Sequence, residues 1–175
     1  MYLYHGVPTK MLGDTLIPLN QMRNMLPEVY SSETKKYHRR EHVMEQTIPI
    51  LNCKWNDVLH LTPLAPNLTL KALRQSGFNP PNCDFFKIPI SKIDETCTVI
   101  FEYKGNETTY EKEYKQFIKN NFSALNEVPC ETFSYYIECR KKNISPLMYH
   151  FVPHVLTSSA IAISDLSIIH WYDEK

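Results

Sequence analysis

The chain has 175 residues with 19 Lys plus Arg against 19 Asp plus Glu, so no net charge steers it to nucleic acid or an anionic membrane; any such contact has to be local. Four glycines leave no glycine-rich phosphate loop, and five cysteines, at 53, 83, 97, 130 and 139, odd in number and never in C-x-x-C, argue against a disulfide framework or a cysteine zinc site. No run of about 18 apolar residues and no secretory h-region is present, which predicts a soluble, cytoplasmic, single-domain protein whose cysteines are small buried groups.

Taken in chain order, Tyr2-Leu3-Tyr4-His5-Gly6 reads as a short aromatic strand ending in a turn. Leu16-Ile17-Pro18 is a second extended piece, and Asn20 caps a brief helix that Pro27 ends. Residues 27–46 are polar and read as surface helical turns. The apolar run 48–63, bracketed by Pro49 and Pro63, reads as a buried strand with Trp55-Asn56-Asp57 at its entrance, either a core Trp followed by a turn made by Asn and Asp or a ring beside an amide and a carboxylate that paves one wall of a pocket. Asn67 is expected to cap a helix from Leu68 to Ser76 that Gly77 closes in the left-handed conformation.

Strands follow at Asp84 to Ile90 and Thr96 to Tyr103, with Gly105-Asn106 as the turn after them. The spacing of Tyr110, Tyr114, Phe117, Ile118 and Phe122 predicts an amphipathic helix over 110–122. Thr132 to Lys142 reads as another, with Phe133, Tyr136 and Ile137 inward, and 147–156 and 160–171 supply two or three last strands. Strands at the ends and middle with helices inserted predict an α+β fold: a mixed or mainly antiparallel sheet, in one variant split, with flanking helices.

The sharpest spacing motif is His38-Arg39-Arg40-Glu41-His42, an H-x-x-E-H string. On a helix its two histidines would share a face and hold Zn²⁺ while Glu41 activates water, with Glu111 or Glu113 as a third ligand. Four cations in the same turn repel a dication, so no metal is expected there.

A different signal is carried by short blocks. Tyr2-Leu3-Tyr4-His5-Gly6 resembles the first strand of the ADP-ribosyltransferase superfamily, whose H-type members place a histidine there, often as Tyr-His-Gly, to hydrogen-bond the nicotinamide ribose of NAD. Arg39-Arg40 followed by Ile48-Pro49-Ile50-Leu51 is similar in order to an NAD-contacting arginine and a Pro-Met-Leu strand in the DNA-modifying toxin branch. Pro153-His154-Val155-Leu156-Thr157 and 161–169 resemble the strand pair where that family carries its catalytic glutamate. That glutamate's place falls at or near His154, so the resemblance leaves its role to Glu131 or Glu138, or implies weak or lost transferase activity.

The resemblance thus implies an NAD-binding protein with His5 and Gly6 at the nicotinamide ribose, Arg40 near the pyrophosphate, Trp55 or a nearby tyrosine stacking on the nicotinamide and His154 across the cleft, acting on an unknown macromolecular acceptor. A non-catalytic interaction module rich in tyrosine is the alternative, and a zinc hydrolase on His38, Glu41 and His42 the second alternative.

Overall fold

The structure, a computed structural model, describes residues 1–11, 13–106 and 109–172. The first half contains β1 (Tyr2–Gly6), β2 (Thr15–Leu16), α1 (Leu19–Met25), α2 (Pro27–Thr34), β3 (Thr47–Ile48), β4 (Cys53–Lys54), β5 (Leu59–Leu61), α3 (Pro66–Gln75) and β6 (Asp84–Pro89). The second contains β7 (Thr98–Asn106), β8 (Thr109–Gln116), α4 (Cys130–Lys141), β9 (His154–Thr157), β10 (Ile161–Ala162) and β11 (Ser167–His170). Strands β1-β6-β11 form one antiparallel sheet and β5-β9-β7-β8 another, while β2 pairs with β10 and β3 with β4. At the seam between the larger sheets Tyr4 and Thr62 exchange two backbone hydrogen bonds of 2.9 Å. Strand β1 therefore lies between β6 and the strand that follows Trp55-Asn56-Asp57, and the fold is α+β with small antiparallel sheets in one compact body.

Strand alternation divides the core. Phe85 points to the layer of Leu70, Leu73, Tyr136 and Trp171 beneath α3 and α4, whereas Phe86 and Ile88 join Leu3, Leu59, Leu61 and Val155 on the other face. A third cluster, Ile48, Val58, Val99, Phe101 and Leu156, fills the space beneath the β3–β4 ribbon. Helix α3 starts at Pro66, whose missing N–H is harmless at the first helical position. Asn67 lies inside the first turn, its Oδ1 accepting from Leu68 N–H at 2.9 Å, rather than at the expected cap. Gly77 closes the helix at φ +84°, and Phe78 N–H reaches back to the Leu73 carbonyl at 3.0 Å.

The expected helix over 110–122 is not formed. Thr109–Gln116 is a strand paired along its length with β7, Phe101 opposite Tyr114 and Glu102 opposite Glu113. Gly105 and Asn106 continue β7, and the turn beyond them lies outside the described residues. The run 48–63 is not one strand either: β3, a turn with Asn52 at φ +48°, β4 and a 3₁₀ turn over Trp55–Asp57 precede the three residues of β5. Residues 147–152 form turns, so only His154–Thr157 of the expected 147–156 strand pairs. In α4 Tyr136 is inward as expected, but Ile137 is exposed. All five cysteines are free thiols, and only Cys139 is fully buried.

Candidate functional site

The seam opens into a recess of about 90 Å³. Its walls come from separate stretches: His5 at the end of β1, Leu16 and Ile17 at β2, Met22 of α1, Val29 and Glu33 of α2, Lys36 and Tyr37 just beyond, and Asn56, Leu59 and His60 around the start of β5. The 3₁₀ turn that presents Asn56 is fixed by its neighbour. Asp57 accepts from Lys54 N–H and from Asn20 Nδ2, each at 2.7 Å, so both of its oxygens are committed to structure. Asn56, by contrast, is 2% exposed and neither its Nδ2 nor its Oδ1 has a hydrogen-bond partner. Leaving an amide so buried costs about 1–3 kcal/mol per orphaned group.

Three neutral histidines run from the recess into the second sheet. His5 donates from Nδ1 to the Gly6 carbonyl at 2.7 Å, His60 from Nε2 to the Trp55 carbonyl at 2.9 Å, and His154 from Nδ1 to the Val152 carbonyl at 2.7 Å. A ring nitrogen bonded to a carbonyl carries the proton, which leaves the lone pair of His5 on Nε2. Loss of hydration is the main cause holding each ring below the ordinary imidazole range: His5 is lowered, His60 is pushed down to about 3 with His154 adding to the effect, and His154 to about 4. His60 and His154 approach edge to face, 6.4 Å between centroids, and Trp55 lies 4.5 Å from His60.

From this row the rings continue outward. Phe101 touches Trp55, His154 and Tyr103, and Tyr103 touches His150 and Phe151, which pack on Tyr135. Burial raises the Tyr37 hydroxyl, while a hydrogen bond from Trp55 and the Arg40 charge pull it back. Arg40 donates to the Lys36 carbonyl at 2.8 Å, and His150 is lowered by burial, with the Arg40 charge adding to it.

The residues singled out from the sequence thus separate. His5 lines the recess, Trp55 and His154 stand behind its His60 wall, and Arg40 lies next to it beyond Tyr37. Gly6 contributes its carbonyl to His5. Glu131 and Glu138 do not line the recess: they belong to α4, Glu131 exposed and Glu138 bonded to Lys141 at 2.6 Å. Glu33 is the carboxylate that does line it, 3.5 Å from Lys36 Nζ. Neither Glu33 nor His60 stands in a spacing motif; the available signal for His60 was a polar residue between Leu59 and Leu61, pointing to the opposite sheet face.

The H-x-x-E-H string is not helical. A 3₁₀ turn ends at Tyr37, Arg39 adopts φ +65°, and a second turn starts at Glu41, so His38 and His42 do not share a helical face. His38 and Glu41 form an exposed pair at 3.7 Å. Among the described residues no group of three His, Cys, Asp or Glu side chains is placed to hold a metal ion, and no helix is long and apolar enough to cross a membrane.

Fold and site together define an α+β protein with a histidine-walled recess at the seam of two antiparallel sheets. No protein-family model matches the chain, and neither a curated protein nor a solved structure does.

Proposed function

We propose that the recess binds the nicotinamide end of NAD in an ADP-ribosyltransferase-like arrangement. The observation that carries this reading is the convergence of His5, Asn56 and His60 on one recess at the seam. The Nε2 lone pair of His5 accepts from a ribose hydroxyl, as its Nδ1 proton is taken by Gly6. A volume of about 90 Å³ admits only one end of a dinucleotide, so the remainder lies across the open mouth, where Lys10 and Lys36 meet the pyrophosphate charge and Arg40 stands beyond.

Transfer to a macromolecular acceptor breaks the bond between the ribose C1′ and the nicotinamide nitrogen, whose electron pair leaves with nicotinamide, and forms a bond from C1′ to the acceptor, which loses a proton. Glu33 is the carboxylate positioned to face the positive charge developing on the ribose. Its pairing with Lys36 weakens that support, so slow turnover is expected.

Titrating NAD while following thermal unfolding tests the proposal. At a hundredfold excess over the dissociation constant the expected stabilisation is about 2.7 kcal/mol. His5→Ala should abolish it, whereas Cys83→Ala, which packs beside the Leu73–Trp171 cluster, should retain it. An unchanged melting temperature in the wild-type protein at millimolar NAD overturns the reading.

A further inference from the structure

Asn56 is an anomaly that the local fold does not need. The turn is already held by Asp57, through Lys54 and Asn20, and an apolar residue of similar size would fill the same space without an orphaned donor and acceptor. His60, which lines the recess beside it, has its hydrogen bond within the protein, to the Trp55 carbonyl at 2.9 Å, and the Tyr37 hydroxyl is not among the buried atoms left without a partner. The unmet capacity is thus specific: one N–H donor group and one carbonyl acceptor, side by side in a plane.

We infer that Asn56 reads a primary carboxamide, so that the recess takes an amidated aromatic ring such as nicotinamide and rejects the corresponding carboxylate. The inference rests on the NAD reading for the identity of the ring but not for the group recognised. A carboxamide offers the complementary pair, its oxygen to Asn56 Nδ2 and its NH₂ to Asn56 Oδ1, and a carboxylate offers two acceptors, leaving Oδ1 facing a negative oxygen. Volume agrees with this division. About 90 Å³ is some three waters' worth of space, enough for the planar carboxamide with the ring at the mouth. Asn56 is shielded from water, so the entering group has to displace side chains that line the recess beside it. Charge alone would select the opposite ligand, because Lys10 and Lys36 outnumber Glu33 around the recess and attract an anion.

The test measures thermal shifts with nicotinamide, nicotinate, NAD and its deamidated analogue, nicotinic acid adenine dinucleotide, on the wild-type protein and on Asn56→Leu. Nicotinamide and NAD are expected to bind more than about tenfold tighter than their acid counterparts. Asn56→Leu should remove that preference while the ligand-free melting temperature holds or rises, a result that a merely structural asparagine would not give. If the amide and acid forms bind equally, or Asn56→Leu keeps the preference, the inference falls and NAD binding stands. A fall of several degrees in the ligand-free melting temperature of Asn56→Leu also overturns it, because the amide then has a structural partner. If nicotinamide binds with the stated preference and NAD does not, the inference stands and the NAD reading falls; if none of the four binds, both fall.

Discussion

Two groups of histidines in this chain have opposite surroundings. His38 and His42 sit four apart in a recognisable string, yet the chain reverses between them at Arg39 and leaves His38 exposed beside Glu41. His5, His60 and His154 are separated by most of the sequence, yet antiparallel pairing gathers them, and lost hydration keeps all three neutral. Close spacing marks a site only when the backbone between the residues is regular. Distant residues make one whenever strand register aligns them, and register is not written in any short motif.

The comparison can be broken most forcefully at Phe101, which is 1% exposed and meets Trp55, Tyr103, Tyr114 and His154. Phe101→Ala removes the ring against which the histidine row is packed and should cost about 3–5 kcal/mol in chemical denaturation. A loss below about 1 kcal/mol would show that the row is not supported from this side.

Acid should separate the two groups next. The folded protein holds His60 at about 3 and His154 at about 4, below the ordinary 6.5, so the folded state binds fewer protons than the unfolded one in between. The stability these rings permit is fully present above pH 6.5 and is lost as pH falls from there towards 4. The upper limit is about 1.4 kcal/mol per pH unit for each ring. Both retain some contact with solvent, so about 3 kcal/mol for the pair between pH 6.5 and 4.5 is expected. Urea unfolding at the two pH values checks it. His60→Gln should flatten the dependence, and a slope unchanged from the wild type would remove the role given to that ring.

How much of this was legible in the sequence follows from the same physics. Gly77 and the apolar spacing of α3 identified a helix closed at its C-terminus, and Asp84 to Ile90 read as a strand, observed as Asp84–Pro89. The segment 109–116 misled because residues four apart share one face in a helix and also in a strand, where every even spacing does. Only pairing with β7 decides between them. At the site, Trp55-Asn56-Asp57 reads as one wall of a pocket, but only Asn56 lines the recess: Trp55 stands behind His60, and Asp57 is bonded to Lys54 and Asn20. Glu33 and His60 were not visible, because they reach the recess through the packing of α2 and the register of β5, whereas Glu131 and Glu138 were drawn in by the position of α4 in the chain and lie elsewhere in space.

The smallest expected effect bears on the other half of the comparison, and its sign is what matters. Arg39 is exposed and adopts φ +65°, a conformation that costs an L-residue with a Cβ roughly 1–2 kcal/mol. Glycine takes it without that penalty but loses about 0.5–1 kcal/mol more chain entropy on folding. Arg39 N–H donates to Glu41 Oε1 at 3.0 Å, a backbone contact that glycine keeps. Arg39→Gly should therefore stabilise the protein by up to about 1 kcal/mol. Were His38 to His42 a helical turn presenting two ligands on one face, the same change would put glycine inside a helix and destabilise it by a similar amount. A melting curve of this one variant gives the sign: a rise keeps the string as a bent surface segment, and a fall restores it as a helix and reopens the metal reading.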